Sequence, residues 1–385
     1  MTRSSAEARL ADHLRPGMRL AVADGPGAPT ELLGPLSLAA REVGGVSLVL
    51  GWCLDLPDDF DPSAFADVRT LMGGFALRDH VQSGRIRYVP ERLRGIPALL
   101  RGPLRPDALL VGLRPSDHGW DWGTEVSWMA AVADLGVPLL VVDNGALPRT
   151  AREPGPPPQQ VRVVATTHRP PRELPAAPLD EVATRIASTI AGLVPEGACL
   201  QVGPGAIGDA VLRGLEVPVR IRSGMVTEAV RDLDERGLLV DRPWGAYVAG
   251  SLDLYTWADE RGVTARLERT HDLTAAEGRP WVAVNAALEL DTTGAVNVEG
   301  AARHVSGIGG HPDFALLGHV SDGLSVVAVP SSRRGQPTLV DRLSGPASTA
   351  RTDVDVVVTE HGAVDLRGLD DGERTAVLRA LWARA

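Results

Sequence analysis

The sequence predicts an α/β protein made of two open α/β domains with mostly parallel sheets. Three observations carry this. Short apolar runs alternate with helical stretches through the first half, the rhythm of βαβ units. A proline-rich stretch then interrupts it, and the alternation resumes afterwards. At 385 residues the chain is also too long for one ordinary core.

The elements follow in order. Arg19–Ala23, Val46–Leu50, Ala108–Gly112 and Pro138–Val142 read as buried strands, and Val126–Leu135 reads as a helix. Pro154, Pro156, Pro157 and Pro158 come next, then Pro170, Pro171, Pro175 and Pro178. Proline cannot continue a helix or a central strand. Val161–Ala165 still reads as a strand between the two groups. The linker is therefore expected over residues 169–179, dividing a domain of residues 1–168 from one of 180–385. The second half restarts with Val182, Ile186, Ile190 and Leu193 on one helical face. Cys199–Val202 reads as a strand, followed by a glycine-rich loop and a helix from Asp209. Val219–Ile221, Trp281–Asn285, Ser325–Val329 and Val354–Thr359 are further strands. Glu373–Ala385 closes the chain as an amphipathic helix.

Composition narrows the chemistry. The net charge of −10 disfavours a nucleic-acid backbone as partner. No apolar run approaches the length of a membrane span, and MTRSSAEARL lacks the apolar core of a signal peptide. A cytoplasmic protein is expected, with no membrane partner. Cys53 and Cys199 are the only cysteines and read as small buried hydrophobes. All 39 lysine-plus-arginine residues are arginine. Schiff-base chemistry and a phosphate-loop lysine are thereby excluded. No His, Cys, Asp or Glu spacing looks like a metal site.

Two glycine loops stand out. Gly203-Pro204-Gly205-Ala206-Ile207-Gly208 follows a strand and precedes a helix, the setting of a dinucleotide fingerprint. Its partner is missing: the next strand runs into Arg222-Ser223-Gly224 with no carboxylate for a ribose. NAD(P) binding is therefore a remote alternative. The second loop, Ser306-Gly307-Ile308-Gly309-Gly310-His311, reads either as a turn or as backbone N–H donors aimed at a carbonyl oxygen.

Six segments, two of them containing these loops, lie in order along the chain. Leu113–Trp120 is similar to S-P-P-D-x-H-G-Y, and Asn144–Thr150 to N-x-x-M-P-R-T. Gln201–Val211 is similar to Q-x-G-x-G-x-x-x-D-A-V, and Val284–Glu299 to I-N-S-A-L-E-V-D-L-T-G-Q-V-N-x-E. Ser306–Phe314 is similar to S-G-V-G-G-Q-x-D-F, and Val354–Gly368 to V-D-Y-V-V-T-E-Y-G-x-A-D-L-R-G. Together they resemble the acetyl-CoA hydrolase/transferase family, within the glutamate-dependent CoA-transferases. The resemblance implies two CoA-transferase-like domains facing each other, and coenzyme A as substrate or acyl-CoA thioester. It also implies small-molecule partners, an acyl-CoA and a carboxylate; a homodimer stays open. In the family a glutamate attacks the thioester, and glycine-loop amides hold the oxyanion.

The family's glutamate lies in G-I-H-T-E-M-x-x-D-G-V-x-D-L. The matching stretch here is Arg220–Leu233, in register through Met225, Val230, Asp232 and Leu233. Gly224 then falls on the nucleophile, and glycine cannot form an acyl-glutamyl anhydride. Three outcomes are open. Glu228 could substitute as the carboxylate of an ordinary CoA-transferase. His311, where the family has glutamine, could act with Gly310 as general base and oxyanion cradle for hydrolysis. Or the protein binds CoA without catalysis, or runs another non-glutamyl reaction. The expected binding set is Gly203, Gly205, Gly224, Gly307, Gly309 and Gly310. Glu289, Asp291, Glu360, His361 and His118 each have a structural reading as hydrogen-bonding or turn residues. Trp120, Trp122 and Trp128 read as core, with an acyl-binding surface as the alternative.

Overall fold

The computed structural model describes residues 10–259, 261–274, 279–300 and 303–384. Most of the MTRSSAEARL segment and the final Ala385 lie outside them. Among the described residues the first sheet has eight strands, ordered β4-β3-β2-β1-β5-β7-β8, with β6 antiparallel to β5. These are β1 (Arg19–Val22), β2 (Ser47–Leu50), β3 (Asp67–Thr70), β4 (Arg87–Tyr88), β5 (Ala108–Ser116), β6 (Gly119–Trp122), β7 (Leu139–Asn144) and β8 (Val161–Thr167). All other pairings in it are parallel. Central strands are buried on both faces, as Leu109, Leu110, Leu139 and Leu140 show, which explains their unbroken apolar runs.

The second sheet begins β10-β9-β13, with β9 at Cys199–Val202, β10 at Arg220–Ile221 and β13 at Trp281–Ala286. Leu324–Ala328, Val356–Thr359 and Gly362–Asp365 complete it. Only the last of these is antiparallel. A small parallel pair, β11 (Met225–Val226) and β12 (Tyr247–Val248), lies beside it. Residues 168–180 carry no helix or strand. The mixed α/β class with mostly parallel sheets thus agrees with the sequence. No helix among the described residues is long and apolar enough to cross a membrane.

Some boundaries differ, for physical reasons. The helix expected at Val126–Leu135 covers only Met129–Ala133. Its first residues are tied elsewhere: Val126 N–H donates to Ala246, Glu125 bridges to Tyr247, and Ser127 adopts φ +45°. The helix expected from Asp209 starts at Ala206, because Gly205 at φ +125° turns the chain directly into it. The last helix runs Asp371–Trp382, with Asp370 and Glu373 forming a capping box.

The two halves are joined by main-chain bonds and by a buried polar knot. Val248 N–H donates to Thr124 O, Leu267 N–H to Ser127 O, and Thr264 N–H to Thr150 O. In the knot, Tyr247 hydroxyl and Trp128 Nε1 both donate to Asp24 Oδ2 at 3.0 Å, and Ser127 Oγ donates to Tyr247 at 2.5 Å. Trp128 is fully buried, so among the tryptophans expected in the core it has a polar duty as well. Burial pushes the Asp24 carboxyl up to about 7, against the donors' opposing pull.

That shift fixes a sign. The fold favours the neutral acid, so its stabilising contribution is present below about pH 4 and lost as pH rises through about 7. Denaturant titrations should show Asp24→Asn narrowing the loss of stability between pH 5 and pH 8, by on the order of 1–3 kcal/mol.

Candidate functional site

A solvent-open cleft of about 980 Å³ lies between the halves. It sits beyond the carboxyl ends of β9 and β13, at Val202, Gly203, Asn285 and Ala286, where open parallel sheets present ligand crevices. The first half supplies an apolar wall of Trp52, Met72, Phe75 and Leu93. Trp52 packs against a tilted Phe75 ring at 5.2 Å and meets Tyr247 edge-on at 5.4 Å. The second half supplies Gly224, His271 and the segment from Ser306 to His311.

The glycine segment is pinned across the cleft. Leu93 N–H donates to Gly309 O at 3.0 Å, and Arg94 N–H donates to the buried Asp313 carboxylate at 2.9 Å. Ile308 N–H donates to Tyr88 hydroxyl at 3.0 Å. Burial raises Asp313 to about 6, with the Arg94 N–H and the Arg92 and Arg94 charges pulling the other way. Gly309 takes φ +65°. At Gly310 a Cβ would stand 2.7 Å from His271 Nε2 and 3.1 Å from the Phe314 ring. Only glycine allows that approach.

Gly224 is held differently. Its carbonyl accepts from Ala246 and Tyr247 N–H groups, and its φ lies outside the left-handed region. A Cβ there would meet His271 and Phe314 at 3.8 and 3.9 Å, ordinary contact distances. The room beside residue 224 could therefore take a side chain, and glycine leaves it empty.

Two imidazoles line the cleft, and His271 borders this room. His311 opens the helix His311–Val320 rather than sitting in a loop, with Nδ1 2.7 Å from Thr349 Oγ1. His271 packs on Phe314 at 4.6 Å, with Nδ1 2.9 Å from Thr270 Oγ1. Thr270 donates its own hydrogen to Arg266 O. It then accepts from His271 Nδ1–H, which leaves Nε2 with a lone pair. Both Nε2 atoms are buried without a hydrogen-bond partner. Burial lowers His311 to about 4; burial, then the Arg94 charge, lowers His271 to about 3. Both are neutral at pH 7. Gln201 and Asn285 line the same cleft as a mutually bonded amide pair, at 3.1 and 3.2 Å.

Of the expected residues, Gly203, Gly224, Gly307, Gly309, Gly310 and His311 line the cleft together. Gly205 and Glu228 do not. Gly205 turns the chain into its helix. Glu228 accepts from Ser251 N–H at 2.7 Å and pairs with Arg231 at 3.2 Å. Glu289 is held by Asn297 and Ser344, Asp291 by Thr293 and Ala295, and Glu360 by Ser331. His361 meets Ser331 at 3.2 Å, and His118 sits in the exposed turn between β5 and β6. His271, Trp52, Phe75 and Tyr247 were not anticipated. His271 lies in the polar run Arg269-Thr270-His271-Asp272, which carries no periodicity or motif.

The two central glycines should respond differently to a methyl group. Gly310→Ala should cost about 1–3 kcal/mol in denaturant unfolding through overpacking. Gly224→Ala should stay within about 0.5 kcal/mol of the parent.

Residues 250–381 match the family profile described as the Acetyl-CoA hydrolase/transferase C-terminal domain. The chain is 29% identical over 333 residues to the succinyl-CoA:acetate/propanoyl-CoA:succinate CoA transferase of Fasciola hepatica, covering 80% of this chain and 70% of that one. It is 27% identical over 320 residues to the 4-hydroxybutyrate coenzyme A transferase of Clostridium kluyveri, covering 77% and 75%. The fold is similar to that of RipA from Yersinia pestis, at TM-score 0.86 and 22% identity over 98% of this chain and 93% of that one. Residues 250–381, which supply the glycine loop of the cleft, thus match the acetyl-CoA hydrolase/transferase C-terminal domain, and most of the chain is similar to CoA transferases.

Proposed function

We propose that this protein hydrolyses an acyl-CoA thioester in the cleft, without a glutamyl intermediate. One observation carries the reading. Among the described residues the cleft is lined by no carboxylate, yet two neutral imidazoles with unpartnered Nε2 atoms line it, that of His271 beside the room at Gly224. Gly224 stands where the family resemblance expects the nucleophile. A water in that room attacks the acyl carbon while an imidazole takes its proton. The C–S bond breaks, and coenzyme A leaves as a thiolate that then receives the proton. The products are a carboxylic acid and free coenzyme A.

The carbonyl oxygen has a natural resting place. Tyr88 already occupies the Ile308 N–H. The cradle then falls to Gly310 and His311, where the first N–H groups of the helix lack intrahelical partners and its dipole favours negative charge. Ordinary transfer through Glu228 draws no support, because that carboxylate is bonded away from the cleft.

Single substitutions His271→Ala and His311→Ala should each lower kcat/KM for thiol release by about 10²–10⁴-fold, with coenzyme A binding by calorimetry retained. Turnover unchanged in both variants would sink the reading. The depressed imidazoles also set the pH profile. A free-enzyme base near 3–4 stays unprotonated at pH 6, so kcat/KM should be level from pH 8 to 6. A drop centred near 6.5 would indicate an ordinary exposed histidine instead.

A further inference from the structure

We infer that the acyl group taken by this cleft is uncharged and apolar, an aliphatic or aromatic acid rather than a dicarboxylate. The inference rests on the acyl-CoA reading above and names its substrate class. One wall of the cleft is an apolar surface with three aromatic rings in contact. Phe75 packs on Trp52 and Trp52 abuts Tyr247, with Met72, Leu93 and Met225 completing it. Phe75 is the telling member. It is 44% exposed, unusual for so large an apolar side chain in this fold, and its backbone sits at φ +51°. A bulky residue in the left-handed region carries strain that the surroundings must hold. Here Ala76 N–H, bonded to Cys53 O, holds the turn. The strained turn keeps an aromatic ring at the cleft surface instead of in the core.

The polar inventory points the same way. Among the described residues, no arginine, aspartate or glutamate lines the cleft. Gln201 and Asn285 spend an amide group on each other. His271 and His311 are neutral and their Nδ1 atoms are engaged. Arg92, on the adjoining segment, is paired with Asp313 at 3.7 Å. A second carboxylate on the acyl chain would therefore lose part of its hydration against the apolar wall with no lining cation to compensate it. An apolar chain loses nothing and gains contact with the aromatic wall.

The test compares butyryl-CoA, phenylacetyl-CoA and succinyl-CoA on the full chain, by calorimetric affinity and by thiol release. The two apolar esters are expected to exceed succinyl-CoA by at least about 100-fold in kcat/KM, and to bind more tightly. Succinyl-CoA equal to or better than both would overturn the substrate class while leaving the thioester reading intact. No binding of any ester, nor of coenzyme A itself, would overturn both. A charge-inserting variant adds a second readout. Phe75→Arg should raise the succinyl-to-butyryl ratio at least about 10-fold, and an unchanged or lower ratio in the folded variant would contradict the assigned wall.

Discussion

The structure depends on the docking of one glycine segment of the second half onto residues 72–94 of the first. Leu93 N–H to Gly309 O, Ile308 N–H to Tyr88 and Arg94 N–H to Asp313 are its bonds. Asp313 is fully buried, so the Arg94 N–H that it accepts cannot be exchanged cheaply for water. These contacts set the gap between the aromatic wall and the carboxyl ends of β9 and β13. They also place the start of the His311–Val320 helix at the cleft, with its unpaired N–H groups and its dipole. A rigid seam of this kind gives fixed donors, which stabilise developing charge without reorganising.

The two glycines at the centre have opposite meanings. Gly310 is required by crowding, since His271 and Phe314 leave no space for a methyl group. Gly224 is under no such pressure, because its surroundings would accommodate a side chain. Steric need therefore does not explain glycine at 224. Glycine there leaves a space bordered by His271. Burial keeps both imidazoles neutral at pH 7, so each retains a nitrogen lone pair there.

Much of the fold was legible in the sequence, because buried parallel strands write themselves as short apolar runs. Cys199–Val202 and Trp281–Asn285 were located to within a residue by that signal alone. Boundaries set by tertiary bonds were not legible. Val126 looks helical by pattern, yet its N–H is claimed by Ala246 across the interface. The glycines expected to act together do share the cleft, except Gly205, which turns the chain into its helix. The rest of the site was not legible. His271 and Phe75 come from segments far apart from the loops and from each other, and only the folded chain brings them to one cleft. His271 touches Gly310 and the room at Gly224 through packing that no local spacing encodes.

On the proposed route coenzyme A is released to solvent without ever being attached to the protein. Intact-mass spectrometry during turnover of butyryl-CoA in ¹⁸O-water tests it most directly. The expected result is an unmodified protein mass and one water-derived oxygen in the butyrate produced. A protein carrying covalent coenzyme A, or labelled oxygen lodged in a protein carboxylate, would contradict it.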